Sequence, residues 1–367
     1  TYPFRASSHF LYLFGLPLPG AYGLWDGGRW TLFARTPTVD DAVWNGPEPT
    51  LAELEAATGC ATRPLDELAS ALAGRSAATV PAQDLRTLAE QGRLLGRAVE
   101  PDRFDARDRP LVDAMIALRL KHDEAAQAEL RRAAVATAAA HRAGMRATRP
   151  GLRESEVRAA MEAELIARGM TVAYGSIVTV HGEVLHNEVH HHRLGERDLL
   201  LADVGAETET GWAGDVTRTW PVSGRYSPTQ AAFYDIVLAA QKATVAAVAP
   251  GVRHRDLHML AAHRLAEGLV ELGILRGKAE ERVADGTVFL LFPHGIGHLL
   301  GLDVHDMEDL GDLAGYAPDR SRPDGFGVKY LRLDRDLEPG MAVTIEPGLY
   351  VVPAILDHPE LGRKAVA

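Results

Sequence analysis

Two short strand-like segments of this chain, the first of them an apolar run, each carry one aspartate, which limits how they can fold. LLLADVG contains Asp203 and AGDVTRTWPV contains Asp215, with the polar turn ETETG between them. If this turn centres on Glu209, the segments pair as a hairpin with the two aspartates directly opposite, Cβ atoms about 4.5–5.5 Å apart. Two buried carboxylates this close repel one another, and a divalent cation converts the repulsion into shared coordination. The hairpin alone fits a metal site and a solvent-facing turn equally well.

The segment HGIGHLLGLDVHD adds three histidines to this acidic pair. His294 and His298 are four residues apart, and His305 follows at the end of the motif. Gly295 and Gly297 leave space for backbone to approach a ligand closely. An i,i+4 histidine pair often binds one metal, but one ring can equally be a ligand while the other contacts substrate. A lone histidine is more often structural, whereas three within twelve residues, set among glycines, favour a functional site.

A further carboxylate lies in TIEPGLY, which we expect to be a strand that ends at Pro347-Gly348. Period-two alternation places Ala342, Thr344 and Glu346 on one face. A carboxylate at the inner end of such a strand suits a hard or borderline cation such as Mn²⁺, Co²⁺ or Zn²⁺. An edge glutamate in water is the alternative.

Five histidines fall between His181 and His192. The run HHH at positions 190–192 is typical of a surface loop. His186 follows the apolar Val184-Leu185, so we expect this ring alone to lie inside.

Composition excludes several classes of partner. The net charge of −11 and the pI near 5.8 argue against a nucleic acid or an anionic membrane surface as the main partner. No apolar run reaches the roughly 20 residues that span a bilayer. The single cysteine, Cys60, cannot form an internal disulfide, which fits a reducing cytoplasm.

Helical and strand-like segments alternate irregularly, which predicts the α+β class. The first hundred residues predict a small α/β domain with a strand at His9–Leu16 and a hairpin turning at Asp26-Gly27-Gly28. The charged segment Glu100–Pro110 marks a boundary, so we predict domains at 1–105 and 106–367. The second domain is predicted to contain four helices. They run from Leu111 to about Arg146, over GLRESEVRAAMEAELIARG with Ser155 as its cap, from Pro228 to about Val248 and from Arg255 to about Leu272. Two strands are predicted after them, at Val288–Phe292 and Met341–Tyr350.

HGIGHLLGLDVHD, GDVTRTWPVSG and TIEPGLY together resemble the metallopeptidase family with the pita-bread fold, which includes methionine aminopeptidase, aminopeptidase P and prolidase. The resemblance is closest to aminopeptidase P and prolidase and covers nearly the whole chain. It implies a creatinase-like N-terminal α/β domain followed by a pita-bread catalytic domain. It also implies two bound divalent metal ions, with Mn²⁺ preferred over Co²⁺ or Zn²⁺.

The same resemblance implies a role for each matching residue. Asp203 would bind one metal, Asp215 would bridge both, and His298 and Glu346 would hold the other. A hydroxide between the metals would attack the scissile carbonyl. His294 and His305 would bind the substrate and stabilise the tetrahedral intermediate. His186 would face the same pocket.

Two further residues bear on substrate and assembly. Arg332, fourteen residues before Glu346, resembles the prolidase arginine that receives the carboxylate of a dipeptide, although Arg335 is a competitor. Trp44 resembles the N-domain tryptophan that reaches a neighbouring subunit's pocket, which implies a homodimer. A hairpin or core tryptophan is the alternative interpretation.

The chain departs from the family pattern in two places. The spacing between Asp203 and Asp215 is one residue longer than usual. The family's further bridging glutamate, in a GVRIED-like motif after TIEPG, has no counterpart in PAILDHPELGRKAVA, where Glu360 lacks a strand context. We therefore expect this sequence to be a fragment truncated at its C-terminus.

The leading prediction is a cytoplasmic dinuclear metallopeptidase that hydrolyses Xaa-Pro dipeptides, a prolidase. The nearest alternative is aminopeptidase P, which acts on longer Xaa-Pro peptides. A peptidase-like binding module without metal is a second alternative, favoured by the missing glutamate. A metal-free amidinohydrolase such as creatinase fits less well, since it has no need of these ligands.

Overall fold

The computed structural model describes residues 4–101 and 103–362, and its mixed helices and short strands confirm the α+β class. The chain forms two compact units, with the division between Leu118 and Arg119. The predicted boundary after residue 105 precedes this division. Among the described residues, no helix combines the length and apolarity needed to cross a bilayer.

A three-stranded sheet lies at the centre of the N-terminal unit, in the order β1-β2-β3. The pair β1–β2 is antiparallel and the pair β2–β3 parallel, and Phe14, Leu32, Ala34 and Leu54 form the core beside it. The unit contains α1 Ser8–Phe14, β1 Tyr22–Asp26, β2 Arg29–Ala34, α2 Val39–Asn45, α3 Leu51–Thr58, β3 Ala61–Pro64, a 3₁₀ turn Leu65–Glu67, α4 Leu68–Leu72, α5 Leu85–Leu95 and most of α6 Arg109–Arg119.

The predicted hairpin is confirmed and the predicted first strand is wrong. Asp26 pairs with Arg29 across a turn in which Gly27 and Gly28 both take positive φ, as a tight hairpin requires. HFLYLFG instead forms α1, which ends where Gly15 adopts the left-handed conformation. A short apolar run does not distinguish a buried strand from a helix.

The C-terminal unit packs long helices against a second three-stranded sheet, antiparallel and ordered β5-β6-β8. The central strand β6 buries Leu200 and Ala202 completely against α7 and α8. The elements are α7 Glu124–Ala147, α8 Glu154–Ile166, β4 Thr171–Val172, β5 Ile177–Thr179, β6 Leu199–Asp203, β7 Ala206–Glu207, β8 Thr217–Pro221, α9 Pro228–Ala247, α10 His254–Glu271, α11 Ala279–Ala284, α12 Asp312–Gly315, α13 Pro353–Leu356 and 3₁₀ turns Thr287–Leu290, Glu308–Leu310 and Val328–Tyr330.

Two helix predictions need correction. The single helix expected from Leu111 to Arg146 is two helices, because Asp123 caps α7 by accepting from Ala126 N at 2.8 Å. Ser155 lies inside α8 and does not cap it. The helices predicted from Pro228 and Arg255 are confirmed as α9 and α10, within one residue at each end.

Both late strand predictions are also wrong. The segment 287–290 forms a 3₁₀ turn. The TIEPG segment is extended but makes only an isolated bridge, Leu299 with Val343. It is held by hydrogen bonds from Thr344 N to His298 O, 3.0 Å, and from Glu346 N to Ile296 O, 2.8 Å. The TIEPG segment therefore lies extended beside HGIGH, but the two segments form no regular β-ladder.

Glu154 at the start of α8 forms hydrogen bonds with both ends of the histidine-rich loop, residues 180–192. Its carboxylate is fully buried and accepts from Thr179 Oγ1, Val180 N, His192 N and His192 Nδ1 at 2.9–3.1 Å. Burial alone would raise the pKa of Glu154, but the hydrogen bonds from Val180 and His192 lower it below the usual value. The loop that carries His186 is thus anchored to α8.

Glu154→Gln should lower the free energy of unfolding by about 2–3 kcal/mol, because an amide accepts fewer of these hydrogen bonds and donates where only donors surround it. Because the folded-state pKa lies below the unfolded one, the carboxylate's stabilisation is complete above the unfolded pKa and is lost as the pH falls. Urea unfolding at neutral and acidic pH measures both effects. Glu271→Gln, at an exposed position, should change stability by less than about 0.5 kcal/mol. Equal effects of the two variants would contradict the anchoring role.

Candidate metal centre

The hairpin that carries the two aspartates has a different register from the one predicted. Asp203 pairs with Thr217, and the bridge between Glu207 and Ala213 centres the turn on Thr210 rather than Glu209. Asp203 and Asp215 are therefore not directly opposite. Moving the centre by one residue shifts each partner by two positions, so both aspartates stay on the same face.

Tyr174 joins the two aspartates across this diagonal. Its hydroxyl lies 2.5 Å from Asp203 Oδ1 and 2.9 Å from Asp215 Oδ1. Burial and the two carboxylates raise the pKa of Tyr174 well above its usual value, so the hydroxyl remains a donor. Burial and the charge of Asp215 raise the pKa of Asp203 to about 7. Tyr174 is absent from the predicted site, because it lies in none of the sequence motifs.

Asp215, His298 and Glu346 form a cluster of candidate metal ligands. One ligand atom from each lies within 4.8 Å of the others, and His298 Nε2 is 3.2 Å from both Asp215 Oδ2 and Glu346 Oε1. His298 Nδ1 donates to Leu299 O at 2.9 Å, which directs Nε2 at the carboxylates. Burial disfavours a charged His298, but the two carboxylates outweigh it and raise its pKa to about 10. The cluster therefore draws positive charge to this point.

Thr344 and the glycines of HGIGH hold this group together. Thr344 Oγ1 donates to Glu346 Oε1 at 2.6 Å and accepts from His298 N at 3.0 Å. A Cβ on Gly297 would lie 2.1 Å from Thr344 O, and one on Gly295 would lie 3.0 Å from Tyr330 O. The glycines thus admit neighbouring backbone, whereas the sequence analysis expected them to admit a ligand.

The three other predicted histidines differ in their surroundings. Burial lowers the pKa of His294, whose Nδ1 donates to Gly295 O at 2.7 Å while its buried Nε2 has no partner among the described residues. The ring of His305 lies 4.4 Å from that of His298. His186 was expected inside the protein but is exposed. Tyr350, also missed by sequence analysis, packs its ring edge-on against His294 at 5.2 Å.

One cavity of 830 Å³ collects most of the predicted site. Its wall includes every predicted site residue of the C-terminal unit: His186, Asp203, Asp215, His294, His298, His305, Arg332 and Glu346. Trp44 belongs to the N-terminal unit, where its side chain is 84% exposed. Seven carboxylates and only two arginines line the wall, so it attracts cations. Converging carboxylates with one imidazole fit a divalent cation such as Mn²⁺, Co²⁺ or Zn²⁺.

Arg332 and its competitor Arg335 have separate environments. Arg332 lines the cavity and forms an ion pair with Glu308. Arg335 donates to the carbonyls of Leu313 and Ala314 at 2.7 and 2.5 Å. Of these two candidates, Arg332 is therefore the one that reaches the cavity.

Each of the two units matches a known protein family. Residues 128–366 match metallopeptidase family M24, and residues 1–80 match the aminopeptidase P N-terminal domain. The chain is 32% identical over 361 residues to a probable Xaa-Pro aminopeptidase of Fusarium vanettenii, covering 95% of this chain and 72% of that protein. It is 29% identical over 370 residues to the Xaa-Pro dipeptidase of Homo sapiens, covering 97% and 73%.

The fold is also similar to solved structures. Zn-substituted E. coli aminopeptidase P in complex with product superposes with a TM-score of 0.79 at 27% identity, covering 99% of this chain and 81% of that one. Proline aminopeptidase P II from Yersinia pestis has the same TM-score at 32% identity, covering 96% and 80%. The predicted creatinase-like N-terminal domain and pita-bread catalytic domain are thereby confirmed. This chain is a peptidase that belongs to metallopeptidase family M24.

Proposed function

We propose that this protein hydrolyses the bond between an N-terminal residue and proline, at a dinuclear centre held by Asp203, Asp215, His298 and Glu346. The observation that carries the proposal is the convergence of these four side chains on one cavity, with His298 Nε2 3.2 Å from two carboxylates. The names of its relatives, Xaa-Pro aminopeptidases and an Xaa-Pro dipeptidase, support the substrate class.

Bound divalent cations would lower the pKa of water and polarise the scissile carbonyl. The protein's own contribution is to hold the ligands in place. Tyr174 fixes Asp203 relative to Asp215, and Thr344 fixes Glu346 relative to His298. Each ligand therefore has a second contact that limits its movement.

His294 is suited to accept a hydrogen bond from the substrate. Its Nδ1 donates to the Gly295 carbonyl, and burial keeps the ring neutral, so Nε2 carries a lone pair. This unpartnered atom can accept an N–H of the peptide. We assign stabilisation of the tetrahedral intermediate to His305, on the same cavity wall, with His186 at the same pocket.

Between the two substrate lengths, the structure favours peptides that continue beyond proline. Arg332 is paired with Glu308, so its charge is offset before any substrate carboxylate arrives. Dipeptidase activity is the second candidate, favoured by the position of Arg332 on the cavity wall. We therefore propose an aminopeptidase P-type activity, with prolidase activity on dipeptides as the alternative.

Assembly, metal and location complete the proposal. α2 exposes Val39, Val43 and Trp44 by 81%, 71% and 84%, and such an apolar surface is typical of an interface. We propose that Trp44 contributes to a neighbouring subunit's pocket in a homodimer. We also propose Mn²⁺ as the bound metal and the cytoplasm as the location, as the sequence favours.

Hydrolysis of Ala-Pro-Ala and Ala-Pro by the Mn²⁺-loaded protein tests the proposal. We expect the tripeptide to be cleaved faster, and chelation to remove activity that Mn²⁺ or Co²⁺ then restores. Faster cleavage of Ala-Pro would reverse the order of the two candidates. A protein that binds no Mn²⁺, Co²⁺ or Zn²⁺ and cleaves neither peptide would instead be the metal-deficient binding module.

A further inference from the structure

We propose that Glu308 determines substrate length by neutralising Arg332. With Glu308 in place, the cavity disfavours a carboxylate directly after proline and accepts a peptide chain that continues. The inference rests on the proposed Xaa-Pro activity. The family resemblance implies a carboxylate receptor at Arg332 and assigns no role to Glu308.

The geometry places Glu308 between two site residues. Its Oε2 accepts from Arg332 Nη1 and lies 3.4 Å from His305 Nδ1. Its Oε1 is buried and has no hydrogen-bond partner among the described residues. The side chains of Glu308 and Arg332 are 34% and 38% exposed and line the same cavity as the candidate metal ligands. Both are thus accessible to a bound peptide.

The backbone beside Glu308 is strained, which supports a functional role. Met307 has a φ of 60°, and it is the one non-glycine residue with positive φ in the described part of the chain. The left-handed conformation is unfavourable for a residue with a Cβ. Such strain is retained mostly at functional sites, where surrounding contacts enforce it. Here it directly precedes the 3₁₀ turn that begins at Glu308.

Electrostatics decides which substrate end this pair accepts. The charges of Arg332 and Glu308 cancel, so a substrate carboxylate meets repulsion from Glu308 as well as attraction to Arg332. A neutral peptide carbonyl avoids it and can accept one of the guanidinium N–H groups that Glu308 leaves free.

The cavity contains a matched pair that serves as a control. Arg322, the other arginine of the wall, is paired with Asp312. Arg322 also donates to the carbonyls of Lys329 and Leu331. Asp312→Asn therefore changes the charge of the wall by the same amount as Glu308→Gln, at a different arginine.

The experiment uses Ala-Pro and Ala-Pro-amide, which differ in the terminal carboxylate alone. For the Mn²⁺-loaded protein, Glu308→Gln should raise the ratio of kcat/KM for Ala-Pro over Ala-Pro-amide at least tenfold, mainly through KM. Adding Arg332→Gln to Glu308→Gln should remove the gain. Glu308→Asp, which keeps the charge, should stay near the wild-type ratio, and Asp312→Asn should change it less than threefold.

Calorimetric binding of L-proline and L-prolinamide provides a readout that does not need turnover. Glu308→Gln should bind L-proline at least tenfold more tightly while L-prolinamide changes little. A Glu308→Gln variant that folds normally yet leaves this preference unchanged would overturn the inference, whether or not peptides are cleaved. An equal shift in Asp312→Asn would also overturn it and would assign the role to Arg322. Failure of the wild type to cleave any Xaa-Pro peptide would refute the proposed function separately.

Discussion

Asp215→Asn should reduce kcat/KM for Xaa-Pro peptides by roughly a thousandfold or more, because it removes a proposed metal ligand from the centre of the candidate site. Asp215 lies 2.9 Å from the Tyr174 hydroxyl and 3.2 Å from His298 Nε2, and Tyr174 links it to Asp203. An amide is a much weaker cation ligand than a carboxylate and cannot compensate a second positive charge. The bound metal per chain should fall as well.

Metal content by mass spectrometry, measured beside activity and thermal unfolding, checks this result. Asp235→Asn, a change of the same kind at an exposed position of α9, should leave metal content and activity near wild type. The thermal midpoint of Asp215→Asn without metal should stay within a few degrees of wild type. An active Asp215→Asn protein with full metal content would contradict the assignment of Asp215 as a ligand.

Gly205→Ala should lower the free energy of unfolding by at least about 3 kcal/mol. Gly205 lies opposite Asp215 in the observed register, and a Cβ there would lie 1.8 Å from the Gly214 carbonyl oxygen and 2.7 Å from Tyr174 Cε1. The first clash is with backbone, which no side-chain rotation relieves. The hairpin must open and Tyr174 must move, so metal affinity should fall together with stability.

Urea unfolding and metal titration of Gly205→Ala test this expectation. Gly175→Ala is the matched control, because a Cβ there meets the flexible end of Glu188 at 3.7 Å, an ordinary contact. It should cost less than about 1 kcal/mol. If Gly205→Ala unfolds like Gly175→Ala, the close approach of the two hairpin strands is not present in solution.

The candidate site was predicted better than the elements that support it. Asp203, Asp215, His298 and Glu346 each lie in a short distinctive motif, and the structure brings all four to one cavity. Whether each of these side chains offers a carboxylate oxygen or an imidazole nitrogen to a cation follows from residue identity alone. Tyr174 was missed because a single tyrosine outside any motif gives no signal, and its importance appears only when two strands bring both aspartates to its hydroxyl.

Two of the errors in secondary structure share one physical cause. HFLYLFG and the run at 287–290 are short and apolar, and such runs fit a helix, a 3₁₀ turn or a strand until their packing partners are known. TIEPG was predicted to be a strand and forms none in the described chain, because its partner is the irregular HGIGH segment rather than another strand. The long helix α9, which begins after the Ser227 cap, was located within one residue at each end.

The sequence by itself indicated the chemistry proposed for this protein: which carboxylates and histidines form the candidate site, the class of cation that they suit, and the family to which the chain belongs. Only the tertiary structure decided how they meet. The register that places Asp203 beside Thr217, the Tyr174 bridge and the pairing of Arg332 with Glu308 all depend on contacts between residues distant in the chain. Residue identity sets what a side chain can bind, whereas packing of the whole chain sets its partner.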